Sequence, residues 1–184
     1  MPRDKQAILC ELLVLRCRRG ERRAFDELVG QWEGRLFYYI RRLVESEADA
    51  WDVLQQTWMQ AFKGIRSLED AERLPAWLYR IARCQAASRW RDHYRALAPL
   101  DESGEAVDVE APADCRLDDA EAVHRGLERI SLAHREVLTL YFLEDLSLAQ
   151  MAEVLDVPLG TIKSRLWHAK RSLRAVLDET GGQP

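Results

Sequence analysis

The chain has 184 residues, a length for one domain or two small ones. Its 47% hydrophobic content supports ordinary cores, and its 32% charged content points to large solvated faces. The net charge of −4 argues against a uniformly basic polyanion binder, yet the charge is unevenly spread. Residues 101–121 hold nine acids (Asp101, Glu102, Glu105, Asp108, Glu110, Asp114, Asp118, Asp119 and Glu121) against one base, Arg116. Residues 157–177 hold five bases (Lys163, Arg165, Lys170, Arg171 and Arg174) and no acid. That asymmetry reads as an acidic connector between two parts with basic faces. Cys10, Cys17, Cys84 and Cys115 have neither CxxC nor zinc-finger spacing, so they read as reduced thiols of a cytoplasmic protein, with no metal or cofactor expected. The first apolar stretch is interrupted by Glu11 and Arg16 and fits neither a signal peptide nor a membrane insertion.

With only nine glycines and six prolines, the chain reads as all-α: two small helical domains joined by a flexible acidic linker. The first domain is placed at residues 4–95. Leu9, Leu12, Leu13 and Leu15 open a helix that Gly20 breaks. Phe25, Leu28, Val29, Trp32, Leu36, Tyr39, Ile40 and Leu43 then recur at steps of three and four. A third helix starts near Glu47, with Val53, Leu54, Trp58, Ala61, Phe62 and Ile65 on one face and Asp52, Gln55, Gln56, Met59 and Lys63 on the other. A polar stripe bordered by a methionine fits either a protein-docking face or a plain solvated one. After a charged loop at 66–74, Pro75 suits the first turn of a fourth helix running to about His93.

This fourth helix has five arginines between residues 76 and 95 (Arg80, Arg83, Arg89, Arg91 and Arg95), one acid, Asp92, and interleaved aromatics. Arginines that track phosphates beside stacking rings suit single-stranded nucleic acid. Leu78 and Ile81 read as core, and Trp77 fits core or stacking equally. Residues 96–119, with Pro99, Gly104, Pro112 and eight of those nine acids, lose helical periodicity and read as the linker.

A second domain is placed at 120–178, with helices at 120–130, 132–143, 148–155 and 159–177. Ser147 is a good N-cap, Leu148, Met151, Ala152 and Leu155 form an apolar face, and Asp156-Val157-Pro158 is a short turn. Ile162, Leu166, Ala169 and Leu173 form the buried stripe of the last helix, leaving Thr161, Lys163, Ser164, Trp167, His168 and Arg171 outward. This pattern reads as a helix-turn-helix, whose second helix enters the major groove, with an ordinary helical hairpin bearing a solvated basic face as the alternative.

The run Pro158-Leu159-Gly160-Thr161-Ile162-Lys163-Ser164-Arg165-Leu166 resembles region four of bacterial sigma factors of the extracytoplasmic-function branch. Asp49-Ala50-Trp51-Asp52-Val53-Leu54-Gln55-Gln56-Thr57-Trp58 resembles their region two. The resemblance implies a non-enzymatic subunit that brings core RNA polymerase to promoter DNA. It puts the upstream (−35) contacts on Thr161, Lys163, Ser164, Arg165, Trp167, His168 and Arg171, with Arg165 and Arg171 on backbone or neighbouring protein. It puts capture of the melted −10 element on Trp77, Tyr79, Arg80, Arg83 and Cys84. It puts docking to the polymerase's clamp helices on Asp52, Gln55, Gln56, Thr57 and Met59, with the flap as a further contact, and implies control by an anti-sigma factor. Trp51 and Gln56 stand where acids are usual, Cys84 where Asn is frequent and His168 where Arg is common. Trp51 is then either an added docking contact or a local packing residue. Two other readings remain: a helix-turn-helix regulator with a sensor domain, which requires strands in the front half, and a nucleic-acid enzyme, which requires convergent catalytic groups.

Overall fold

The computed structural model describes residues 5–93 and 120–181. The expected linker at 96–119, together with Tyr94, Arg95 and Cys115, lies outside the described residues, as do the side chains of Trp90 and Arg91. Among the described residues every regular element is helical and there is no strand, so the front half lacks the sheet that a sensor domain requires. No described helix is long and apolar enough to cross a membrane. The chain divides into two compact units, residues 1–96 and 97–184.

In the first unit, α1 (Lys5–Arg18) and α2 (Arg22–Arg41) are followed by α3 (Glu47–Gly64) and α4 (Leu74–His93), with 3-10 turns at Ile65–Ser67 and Ala71–Arg73 between the last two. Gly20 makes the α1–α2 corner at φ +83°, a left-handed conformation that glycine adopts without steric penalty. Ser46 caps α3, its Oγ accepting from the Asp49 N–H at 3.0 Å, and Glu47 and Asp49 sit at the positive end of the helix dipole. α3 packs against α2 and α4, while α1 packs on α2 and the two 3-10 turns. The core takes Leu28, Leu36, Tyr39 and Ile40 from α2, Leu54 from α3, and Leu74, Leu78 and Tyr79 from α4. Tyr79 meets two rings of α2 edge-on, Tyr39 at 5.1 Å and Trp32 at 6.2 Å between centroids. A Cβ on Gly64 would lie 3.0 Å from the Trp77 ring, so the end of α3 and the start of α4 touch at a residue without a side chain.

Two faces differ from the sequence pattern. α1 buries Leu13, Val14 and Cys17 and leaves Ile8, Leu9, Leu12 and Leu15 largely exposed, because it has a neighbour on one side only. Phe62, expected inside, is 58% exposed. It lies against the edge of Phe25, which also packs on Trp58, so the ring closes an aromatic cluster at the surface.

The second unit holds α5 (Ala120–Glu128), α6 (Leu132–Leu138), α7 (Leu148–Leu155) and α8 (Leu159–Gly181). The helix expected over 132–143 changes at Thr139 into one turn of π-helix, Thr139–Leu143. α6 packs against α8. Arg135 reaches back to α5, donating to the carbonyls of Leu127 at 2.7 Å and Glu128 at 3.0 Å, and thereby satisfies acceptors that a helix C-terminus leaves open. Where α5 meets α8, a Cβ on Gly126 would come within 2.9 Å of Leu173 Cδ1.

α7 opens with a full capping box. Ser147 Oγ accepts from the Gln150 N–H at 3.2 Å, and Gln150 Oε1 accepts from the Ser147 N–H at 2.9 Å. The helix ends at Asp156, left-handed at φ 56°. Its buried residues are Met151, Val154 and Leu155, while Leu148 and Ala152 are half-buried.

Ser147→Ala should cost the second unit about 1 kcal/mol. Asp156→Gly should relieve the left-handed strain and stabilise by roughly 1 kcal/mol. Hydrogen exchange resolved to α7 checks both, with faster exchange expected in the first variant and slower in the second.

Candidate nucleic-acid interface

The turn between α7 and α8 spans only Asp156 to Pro158, and α8 buries Ile162, Leu166, Ala169 and Leu173 as one continuous stripe. This packing fixes what faces away. Lys163, His168 and Arg171 are exposed, and Thr161, Ser164, Arg165 and Trp167 are half-buried at the margins. Trp167 braces the exposed pair. His168 stands edge-on to it at 4.7 Å, and the Arg171 guanidinium lies over its ring at 5.5 Å. The indole therefore orients one ring and one cation along the helix surface. Ser164 Oγ donates to the Thr161 carbonyl at 3.1 Å and keeps its lone pairs for an outside donor. Lys170 packs elsewhere, over Tyr141 at 5.0 Å and Phe142 at 5.1 Å in the π-turn. The basic run visible in the sequence thus splits between an outward face and an internal brace.

In the first unit, helical spacing sets Trp77, Arg80 and Cys84 on one face of α4. Arg80 and Cys84 are exposed, and Trp77 is half-buried against Gly64, so its ring is partly core and partly surface. Arg83 is half-buried at the margin. Leu78 is core as read, whereas Ile81 is half-buried. Tyr79 has to be corrected. It is fully buried between Trp32 and Tyr39 and offers no surface for a base.

On α3, Asp52, Gln55, Gln56 and Met59 are all exposed and, at steps of three and four, line one face. Thr57 is the second correction. It is fully buried, and its hydroxyl donates to the Val53 carbonyl at 2.7 Å, so it cannot dock a partner. Trp51 stacks on Phe37 at 4.2 Å and donates to Glu47 at 3.4 Å, so it packs locally while keeping about half its surface. Two features of this region do not emerge from the sequence pattern. Phe62 adds an exposed ring one turn beyond Met59. Arg89 of α4 turns towards α3, with its Nη2 2.7 Å and Nε 3.0 Å from Asp49 Oδ1, and Nη2 3.2 Å from Asp52 Oδ2. Beside this cluster, α3 and α4 wall a groove of about 370 Å³ lined by Asp52, Val53, Gln56, Gln85, Ser88 and Arg89. A contact spanning 40 residues leaves no periodic trace, which is why spacing alone could not find it.

Burial pushes the Cys17 thiol up to about 11, and burial also raises Cys10, whereas Cys84 is exposed. The thiolate is the reactive form, so a raised pKa leaves less of it at any pH below that value. Of the three described cysteines, iodoacetamide at pH 8 should label Cys84 first and Cys17 last. Peptide mass spectrometry checks the order, and early labelling of Cys17 would contradict the packing of α1.

The comparisons with known proteins bear on both units. The family model for sigma-70 region 2 matches residues 28–96, and that for sigma-70 region 4 matches residues 126–175. The chain is 30% identical over 177 residues to the RNA polymerase sigma-H factor of Pseudomonas aeruginosa, covering 90% of this chain and 92% of that one. It is 23% identical to the ECF RNA polymerase sigma factor SigW of Bacillus subtilis, covering 89% and 94%. Among solved structures it is similar to the sigma factor RpoE of Bartonella quintana, crystallised with the anti-sigma factor NepR, with a TM-score of 0.66, 26% identity and coverage of 84% and 96%. Matches to both regions across more than half of the chain leave one conclusion: the chain belongs to the sigma-70 family of RNA polymerase sigma factors, in its extracytoplasmic-function branch.

Proposed function

We infer that the chain associates with core RNA polymerase and directs it to particular promoters, each unit taking a separate task. The first unit, assigned to residues 4–95, docks on the clamp helices of the largest subunit through Asp52, Gln55, Gln56 and Met59. It captures the melted −10 element with Trp77, Arg80, Arg83 and Cys84. The second, assigned to residues 120–178, reads the −35 element with Thr161, Lys163, Ser164, Trp167 and His168, while Arg165 and Arg171 meet backbone or neighbouring protein and the flap holds the unit in place. Residues 96–119 join the two. The reaction itself belongs to the polymerase, so the chain acts in the cytoplasm as a specificity subunit and not as an enzyme. An anti-sigma factor is the proposed regulator, in keeping with the NepR complex of the similar RpoE.

One observation carries this reading. A capped, tightly turned helix pair exposes Lys163, His168 and Arg171 on the side opposite its buried stripe, in a chain whose other unit has an exposed polar face on α3. Phosphate contacts position such a helix, and base contacts give it sequence preference. Each lost base contact costs roughly 1–3 kcal/mol.

The test combines affinity for core polymerase with footprinting of the resulting holoenzyme. Lys163→Ala should weaken protection of the upstream element by about tenfold or more while leaving core affinity unchanged. His168→Arg should shift base preference at one upstream position, because a forked cation prefers guanine. Failure of the chain to bind core, or an upstream footprint indifferent to both changes, would contradict the assignment.

A further inference from the structure

The groove between α3 and α4 is bordered by an ion cluster that joins the two helices. Asp49 and Asp52 lie three residues apart on α3, so both carboxylates face the same side of the helix. The group between them is the guanidinium of Arg89, with two contacts to Asp49 at 2.7 and 3.0 Å and one to Asp52 at 3.2 Å. The arrangement is a cradle for a planar cation, since two carboxylates match the donors of a guanidinium better than those of an ammonium. Its two halves are unequal. Asp49 is 26% exposed and takes the shorter contacts, whereas Asp52 is 59% exposed and holds Arg89 by the longest one. Asp52 is therefore the carboxylate open to exchange. The open side of the groove supplies Gln56 from α3 and Gln85 and Ser88 from α4, amide and hydroxyl groups able to bond a second long side chain.

We propose that this groove receives an arginine side chain of the polymerase, which takes Asp52 from Arg89 and makes Gln85 and Ser88 of α4 the second wall of a docking site otherwise formed by α3. The proposal rests on the docking role of α3 and adds the partner's chemistry and three residues to it. Arg89 then acts as an internal competitor. In the free chain it offsets one of the two negative charges, and on docking it keeps Asp49 and releases Asp52.

Electrostatics gives the sign. With Arg89 removed, two neighbouring carboxylates face the incoming cation without that counter-charge, so docking tightens. An exposed ion pair is worth a few tenths to about 1 kcal/mol, which corresponds to a change of about two- to fivefold.

The experiment measures the affinity of the full chain for core polymerase at low and high salt in a double-mutant cycle. Asp52→Asn should weaken docking, and Gln85→Ala with Ser88→Ala should weaken it further. Arg89→Ala should tighten docking about two- to fivefold at low salt, less at high salt, and by a smaller factor in the Asp52→Asn background, where Asp49 is the one carboxylate left. Arg89→Lys, which keeps the charge, should move the affinity back towards that of the unsubstituted chain and guards against a folding defect in the alanine variant. Weaker docking by Arg89→Ala, or the same factor with and without Asp52, overturns the exchange. Failure of the underlying docking role looks different: Asp52→Asn, Gln55→Ala and Met59→Ala then all leave core affinity unchanged, and the groove falls with it.

Discussion

The rotational setting of α4 depends on Tyr79. With its ring held edge-on by Tyr39 and Trp32, the helix has one phase in which Leu78, Ala82 and Ala86 also turn inward. What is attributed to α4 follows from that phase. Arg80 and Cys84 face out, Trp77 leans on Gly64, and Arg89, three turns further along, arrives beside α3. A buried aromatic of this kind contributes roughly 3–5 kcal/mol relative to alanine, far more than any exposed ion pair on the same helix. The apolar contact therefore sets the geometry, and the charged groups take the positions it leaves them.

The second unit solves a related problem with shorter helices. α7 has eight residues and would be marginal in isolation. The capping box at one end and the left-handed Asp156 at the other define its limits. Met151, Val154 and Leu155 then seat it on its surroundings, including α8. The close approach at Gly126 and the Arg135 contacts tie α5 into the same unit. The result is an α8 that presents Lys163, His168 and Arg171 from a fixed frame, with Trp167 as the brace. A chain of net charge −4 can in this way offer a cationic surface locally.

Much of this is legible in the amino-acid sequence alone. The periodicity of Ile162, Leu166, Ala169 and Leu173 and the Ser147 cap locate the helix-turn-helix, because local rules of spacing and capping decide such a motif. Thr57 and Tyr79 depart from expectation for one reason. Each lies on the buried arc of its own helix, Thr57 between Val53 and Ala61, and Tyr79 with Ala82 and Ala86, but the family resemblance assigns them a surface role. Spacing is the better guide there. It fails at α1 and at Phe62, where apolar residues point to solvent, because periodicity says which residues share a face and not whether a neighbour covers it. The Arg89 cluster is illegible for a third reason, since it depends on how two helices are juxtaposed.

Both units are assigned to one act, the choice of a start site by core polymerase. Start-site mapping in vitro tests this most directly, with core enzyme, the purified chain and a pooled genomic template library. The account predicts new starts absent with core alone, preceded by two shared sequence blocks at a nearly constant spacing. Starts indistinguishable from those of core alone, or new starts lacking any shared upstream block, would contradict it.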